Sequence, residues 1–144
     1  MPSWIYDGRI ITEISDMPEG TFGFIYEVTH TPTGRKYIGK KVLYFNRTLP
    51  PLTGQKRKRK IVKESDWKTY FGSHAEIVGL IKEGKQEEFT KQILCFVRSK
   101  KLLTYYETKY LFIKEVLEYR NNYINDNVLG KFYRKDFITP DTDD

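Results

Sequence analysis

Two tyrosines, Tyr26 and Tyr37, stand eleven positions apart in segments that predict neighbouring strands. Residues 21–29 and 35–39 are rich in aromatic and β-branched side chains, and residues 30–34 between them predict a Pro/Gly turn. Two phenols on adjacent strands of a hairpin can reach one water molecule. A phenol, with an ordinary pKa of about 10, serves as a base only where a nearby cation stabilises its ionised form.

Other residues supply the remaining groups that phosphodiester hydrolysis needs. The reaction requires a water nucleophile, an acceptor for its proton and positive charge beside the phosphate oxygens. We predict Tyr26 as the base and Tyr37 as the partner that positions the water. Arg47 offers planar, paired donors that suit a phosphate. Glu107 offers a single carboxylate, which suits Mg²⁺ or Mn²⁺ because such a cation takes its other ligands from water and substrate phosphate.

The motifs Phe24-Ile25-Tyr26 and Tyr37-Ile38-Gly39, with a strand-turn-strand between them, resemble those of the GIY-YIG nuclease family. The second motif is matched in full, whereas the first has Phe24 where the family usually has glycine. This departure keeps the tyrosine and is expected to crowd the backbone beside it. The resemblance spans residues 22–128.

The resemblance implies roles for three charged residues outside the first motif. Arg47, ten residues after Tyr37, matches the arginine that contacts the scissile phosphate. Lys40 follows the second motif directly and is basic in many relatives. Glu107 matches the glutamate that binds the divalent cation. By the same analogy, the products carry 5′-phosphate and 3′-hydroxyl ends.

Two further positions in the resemblance have competing candidates. Asn127 is similar to the asparagine that follows the long helix in the family, but Asn122 and Asn125 compete for that match. An additional proton-transfer or phosphate-contacting side chain is expected at His74 or at Tyr70.

The segments 37–41, 47–51 and 67–73 are similar to those of small phage-encoded members of the family. This similarity implies a bacteriophage or mobile-element origin. The biological role stays open among homing, as in homing endonucleases, restriction, repair, and attack on host or rival DNA.

Residues 44–66 are predicted to form a long basic loop inserted into the domain. Pro50-Pro51 excludes a continuous helix, and residues 56–60 are five consecutive cations. We interpret the run as a clamp that follows the phosphate backbone without reading bases, the alternative being a solvated loop. The predicted nucleic-acid contacts are Lys41, Lys56, Arg57, Lys58, Arg59, Lys60 and Tyr70.

The remaining periodicity predicts two helices and a third strand. One helix is expected from Ser73 or His74 to about Glu83, followed by a strand over 89–97 and a longer helix from Thr104 to about Tyr119. Apolar residues recur along the longer helix at spacings of three and four, and they are Leu103, Tyr106, Tyr110, Ile113 and Leu117. Glu107 lies within about a quarter turn of this stripe, so it is expected to face the sheet.

The order β-β-α-β-α predicts an α/β fold, a small GIY-YIG domain with a three-stranded, mainly antiparallel sheet and flanking helices. A single domain over 1–144 is expected, with its core at about 20–132 and the first twenty residues as a lead-in segment.

The composition favours a nucleic-acid partner and excludes a membrane protein. The chain of 144 residues carries a formal charge of +6 and is 39% hydrophobic, and its pI is about 9.3. These values fit a field that attracts phosphate. The sequence has no apolar run that spans a bilayer and no secretory signal, and the single Cys95 cannot form an internal disulfide. A cytoplasmic protein is expected, in the bacterial host if phage-encoded.

Together these features predict a Mg²⁺- or Mn²⁺-dependent DNA endonuclease acting on double-stranded DNA as a monomer or homodimer, with each active site nicking one strand. The alternative from another class is a catalytically inactive module of the same fold that binds nucleic acid or protein, which Phe24 favours. A nuclease directed at RNA differs only in substrate.

Overall fold

A five-stranded mixed sheet with one helix on each face forms the body of the protein. The computed structural model describes residues 1–119 and 121–137, and the sheet order is β2-β1-β7-β3-β4. The strands of this sheet are β1 (Trp4–Tyr6), β2 (Arg9–Ile11), β3 (Gly23–His30), β4 (Arg35–Val42) and β7 (Phe89–Val97). Two smaller sheets pair β5 (Tyr44–Leu49) with β6 (Arg59–Glu64) and β8 (Asn127–Val128) with β9 (Phe132–Tyr133). The helices are α1 (Ala75–Lys82) and α2 (Lys100–Ile113).

The two helices bury opposite faces of the sheet. Ile77 of α1 packs with Phe24 and Tyr26 on one face. Leu103 and Leu111 of α2 pack on the other face. Side chains alternate between these two cores along β3, as the pleat of a strand requires. The mixed α/β prediction is confirmed.

The predicted hairpin and the third strand are present at the expected places. β3 pairs antiparallel with β4 along its whole length and with β7 on its other side. The β3–β7 register shifts between Ile25 and Tyr26, so β7 carries an extra residue there. Such a bulge increases the local twist and changes the direction of neighbouring side chains.

The prediction of three strands was wrong, because the first residues are not a lead-in segment. β1 pairs parallel with β7 and antiparallel with β2. Asp7 and Gly8, both with positive φ, form the two-residue turn between β1 and β2. An Asp-Gly pair is a strong hairpin signal, but strands of three residues are too short to show alternation. Trp4 holds the segment in place, since it is 1% exposed and its indole N–H donates to the Trp67 carbonyl at 2.6 Å.

The prediction of a long basic loop was also wrong. β5 and β6 pair antiparallel over six residues each, which leaves only residues 50–58 as a loop. We call residues 44–64 the ribbon. Aromatic and β-branched residues such as Phe45 and Val62 favour strands, and the surrounding charges had hidden that preference.

The two helices begin close to their predicted positions, but α2 ends early. α1 follows an N-cap at His74. α2 begins at Lys100 because the Ser99 hydroxyl caps it by accepting from Leu102 N at 3.1 Å. It ends at Ile113, which is exposed rather than buried, and Leu117 is buried beyond the helix. Among the described residues, no helix combines the length and apolar character needed to cross a membrane.

The outer edge of β4 is covered by the chain that follows α2. Lys36 N donates to the Asn122 carbonyl at 2.8 Å, and Ile124 N donates to the Lys36 carbonyl at 2.7 Å. The segment 122–125 therefore runs beside β4 and brings residues 125–127 to the second motif.

Candidate active site

A cleft of about 250 Å³ lies between β4, α2, the start of α1 and residues 125–127. Five predicted catalytic residues line it, and these are Tyr37, Lys40, His74, Glu107 and Asn127. They come from four separate parts of the chain, so the fold brings them together as the sequence predicted. The Glu107 carboxylate reaches the edge strand although α2 packs on the face of the sheet opposite Tyr26.

Tyr26 lies behind the cleft and depends on Gly39 for its position. The Tyr26 side chain is 1% exposed. A Cβ atom built on Gly39 would overlap the Tyr26 hydroxyl and lie 2.6 Å from its Cζ. The phenol therefore crosses the backbone of the second motif, which explains why glycine is needed there. Burial raises the pKa of Tyr26 well above its ordinary value, and its neighbours Tyr70 and Tyr37 add to the effect.

Tyr37 is the tyrosine that borders the cleft. Its ring lies 6.3 Å from that of Tyr26 and 5.9 Å from that of His74, and its hydroxyl is 3.4 Å from the Ser73 hydroxyl. Burial raises the pKa of Tyr37, while the hydrogen bond with Ser73 lowers it. Both phenols are therefore neutral in the metal-free protein at neutral pH.

Glu107 and Lys40 form the charged centre of the cleft. The Lys40 ammonium is 3.7 Å from the Glu107 carboxylate and donates to the Thr104 hydroxyl at 3.3 Å. Burial raises the pKa of Glu107, and the nearby Lys40 lowers it. A carboxylate that loses hydration in this way gains from any additional cation in the cleft.

His74 is held by both of its ring nitrogens. The backbone N–H of Glu76 donates to His74 Nδ1 at 3.1 Å, so Nδ1 must be unprotonated. The hydrogen therefore sits on Nε2, which donates to the Asp126 carboxylate at 2.7 Å. With both nitrogens engaged, His74 caps α1 and holds Asp126 in the lining of the cleft. This arrangement favours a positioning role over proton transfer.

Asn125 and Asn127 have different partners. The side chain of Asn125 is 5% exposed, accepts from Ile38 N at 3.1 Å and donates to the Ile38 carbonyl at 2.9 Å. Asn127, although it lines the cleft, accepts from Gly130 N at 3.0 Å and stabilises an exposed turn. Of the three competing asparagines, Asn125 is therefore the one that fixes the edge strand beside Tyr37.

The other predicted residues lie outside the cleft. Arg47 is exposed on the ribbon, where it lines a separate depression with Phe45 and Lys63. Lys41 is 9% exposed, its ammonium being 2.6 Å from the Asp66 carboxylate and 3.8 Å from the centre of the Tyr70 ring.

Lys41 is therefore not presented to solvent as a free cation. Tyr70 packs edge-on against Tyr26, with ring centroids 5.9 Å apart. The five basic residues 56–60 are all exposed, three in the loop and two at the start of β6.

Phe24 lies in the aromatic core beside Tyr26. It is fully buried and packs edge-on against Trp4 at 5.0 Å and Trp67 at 6.3 Å between ring centroids. The added β1 strand supplies Trp4, so a large side chain fills the space here. Phe24 also packs edge-on against Tyr26, with ring centroids 6.3 Å apart, and so belongs to the same aromatic core.

Sequence reasoning missed Asp126, which lines the cleft and binds His74. A signal was present, since Asp126 lies inside the asparagine-rich segment already considered for the site. Sequence spacing alone gave no reason to pair it with a histidine 52 positions away.

The few oxygen-bearing side chains that line the cleft fit a cation that takes most of its ligands from substrate and water. Among residues 1–119 and 121–137, no group of three or more His, Cys, Asp or Glu side chains could hold a metal ion. Glu107 and Asp126 line the same cleft and supply carboxylate oxygens of the kind that Mg²⁺ prefers.

A tyrosine hairpin whose edge strand faces a glutamate-bearing helix defines the GIY-YIG class of domain. The family described as "Putative endonuclease segE, GIY-YIG domain" matches residues 4–128, from the first residue of β1 to the last of β8. The chain therefore belongs to this GIY-YIG endonuclease family. No curated protein and no solved structure matches it.

Proposed function

We propose that this chain is a DNA endonuclease that hydrolyses phosphodiester bonds with Mg²⁺ or Mn²⁺ and cuts one strand of double-stranded DNA per active site. The observation that carries the proposal is the convergence of Tyr37, Lys40 and Glu107 in one cleft. Membership of an endonuclease family supports the reaction class.

Glu107 is the residue that would hold the cation. When bound, the cation would polarise the scissile phosphate and offset the charge that accumulates on its oxygens. Lys40, 3.7 Å from the carboxylate, adds a further positive charge beside the same position. Arg47 lies outside the cleft, and we assign it to another phosphate of the bound strand.

Tyr37 is the phenol best placed to touch the attacking water, because it lines the cleft and Tyr26 does not. The sequence had instead suggested Tyr26 as the base and Tyr37 as the residue that positions the water. Burial raises the pKa of both phenols, so proton acceptance by either one needs a cation nearby. Tyr26 supports Tyr37 from behind across Gly39.

The test is a supercoiled-plasmid nicking assay with Mg²⁺, comparing the natural chain with Glu107→Gln and Tyr37→Phe. Removing a group that takes part in proton transfer or charge stabilisation lowers such rates by about 100-fold or more. The matched control is Tyr105→Phe, an exposed tyrosine on α2 that should leave nicking unchanged.

Nicking by Glu107→Gln at the natural rate would exclude the proposed cation site. Equal inactivity of all four proteins on DNA would instead support the inactive binding module. The same assay on RNA identifies a nuclease directed at RNA.

A further inference from the structure

The ribbon leaves the sheet from a fixed base. Leu43, between β4 and β5, is fully buried and its N–H donates to the Phe22 carbonyl at 3.0 Å. Ser65, at the other end, donates its N–H to the Leu43 carbonyl at 2.7 Å and its hydroxyl to the Val42 carbonyl at 2.6 Å. The base of the ribbon is therefore tied to the strand that carries Tyr37 and Lys40.

The two faces of the ribbon differ in charge. Opposed residues of an antiparallel pair point to the same side, so the register separates the strand residues into two sets. One face, called the basic face here, consists of Phe45, Arg47, Leu49, Arg59, Ile61 and Lys63. The other face consists of Tyr44, Asn46, Thr48, Lys60, Val62 and Glu64. Within these two fully described strands, the basic face carries three cations and no acid, whereas Lys60 and Glu64 balance on the other face. At the base of the ribbon, Glu64 and Asp66 also line the depression beside the basic face, and Asp66 is paired with Lys41.

Most of the basic face is exposed to solvent. Every residue of β5 and β6 is exposed except Leu49, which is half-buried. Phe45 and Ile61 on the basic face are 41% and 38% exposed. A lone two-stranded ribbon is at best marginally stable in water, and apolar groups among cations gain most from a partner that is both anionic and partly apolar.

The basic face leads towards the active site. Lys41 Nζ lies 5.3 Å from the centre of the Phe45 ring and 3.8 Å from that of Tyr70, which in turn packs against Tyr26. A strand bound along Arg47 and Phe45 would therefore continue towards the phenols.

We propose that the basic face of the ribbon enters the major groove of duplex DNA and contacts base edges there. Two strands about 4.8 Å apart, with their side chains, fit the major groove, which is about 12 Å wide, whereas the minor groove of about 6 Å would have to be widened to admit them. Six residues extend over roughly 20 Å, which is enough to follow several base pairs. Arg59 and Lys63 supply donors for guanine N7 and O6, while Phe45 and Ile61 supply apolar contacts for thymine methyl groups.

This inference rests on the proposed function and adds to it. The sequence predicted a clamp that reads no bases, and the ribbon geometry limits that role to the loop residues 56–58. The basic face instead provides a source of sequence preference inside the same chain.

The experiment uses the full chain and a short DNA duplex of mixed sequence in EDTA, so that binding is measured without cleavage. It compares Lys63→Ala with Lys60→Ala, two exposed lysines on the same strand but on opposite faces. Lys63→Ala should lower affinity by about tenfold, as expected for a lost base contact, and Lys60→Ala by less than about threefold.

Dimethyl sulfate treatment of the duplex tests which groove the ribbon enters, because it methylates guanine N7 in the major groove and adenine N3 in the minor groove. Methylation at guanine N7 should weaken binding of the natural chain and of Lys60→Ala at every guanine that the basic face contacts. Lys63→Ala should lose the interference at the guanine that Lys63 contacts and keep that at the guanine that Arg59 contacts. A-form duplex RNA, whose major groove is too narrow for side chains, should compete poorly.

Equal losses of affinity in the two variants, interference only at adenine N3, or equal competition by duplex RNA would each overturn the proposal. These outcomes are separate from nicking. If the chain nicks DNA but Lys63→Ala and Lys60→Ala lose affinity equally, the proposed function stands and the ribbon inference fails. If the two variants differ as expected but the chain does not nick, the ribbon inference stands and the proposed function fails.

Discussion

Replacing Lys91 by methionine should remove a pH dependence of stability that the fold itself creates. Lys91 lies on β7 with 1% of its surface exposed. Its ammonium is 4.3 Å from the Trp4 ring centre, 4.4 Å from that of Phe71, and donates to the Lys68 carbonyl at 3.2 Å. Burial lowers the pKa of Lys91 from 10.5 to about 7.

The direction in which stability changes with pH follows from proton binding by Lys91. Between pH 7 and 10.5 the unfolded chain holds a proton on Lys91 that the native protein lacks. Stability therefore rises with pH across this window, and the full penalty of burying the charge applies below it. The difference between the two pKa values corresponds to at most about 5 kcal/mol. Contacts of the ammonium with two aromatic rings oppose this penalty, so we expect a gain of about 1 to 2 kcal/mol between pH 7 and 9.

The assay is urea unfolding at pH 7, 8 and 9. The free energy of unfolding of the natural chain should rise over this range relative to that of Lys91→Met. Lys82→Met, which replaces an exposed lysine on α1, should follow the natural chain. Other groups titrate alike in all three proteins and cancel in the comparison. Parallel curves for Lys91→Met and the natural chain would refute the argument that burial lowers the pKa of this amine.

Three further predictions concern the site and the residues that support it. Gly39→Ala should keep the fold by circular dichroism but lower plasmid nicking by about 100-fold, because the new methyl displaces the Tyr26 phenol; a natural rate would contradict this placement. Phe24→Gly, which restores the residue usual in the family, should lower the free energy of unfolding by about 3 to 5 kcal/mol in urea, and a more stable variant would show that the packing is misjudged. Asn125→Ala should lower the free energy of unfolding by about 1 to 3 kcal/mol, because it leaves backbone groups of β4 without their hydrogen-bond partners. Asn127→Ala should lower it by less, and a larger loss for Asn127→Ala would show that Asn127 supports β4 instead.

The parts of the fold that were predictable are those with strong local patterns. β3, β4 and β7 are eight or nine residues long and contain aromatic and β-branched residues, and α1 follows an N-cap at His74. β1 was not predictable in this way, since its three residues form a strand only by pairing with β7 and burying Trp4. The ribbon was missed because charges dominate its sequence.

The residues of the site also fall into those that could be predicted from the sequence and those that could not. Tyr37, Lys40 and Glu107 meet as the family resemblance implied. Arg47 does not join them, because the strand it occupies leaves the sheet at Leu43 and carries the guanidinium away. The partners of His74 and Asn125 depend on where the chain runs after α2, which no local pattern encodes.

The residues that complete the cleft follow most of its other lining residues in the sequence, and this order affects when the cleft forms during synthesis. Asn125 braces β4, and residues 125–127 line the same cleft as Lys40. This stretch is translated some ninety positions after Tyr37. A nascent polypeptide that stops before Asn125 lacks one wall of the pocket. Cutting activity should thus arise only after that stretch has emerged from the ribosome and docked, so an incompletely translated chain would be harmless to nearby DNA.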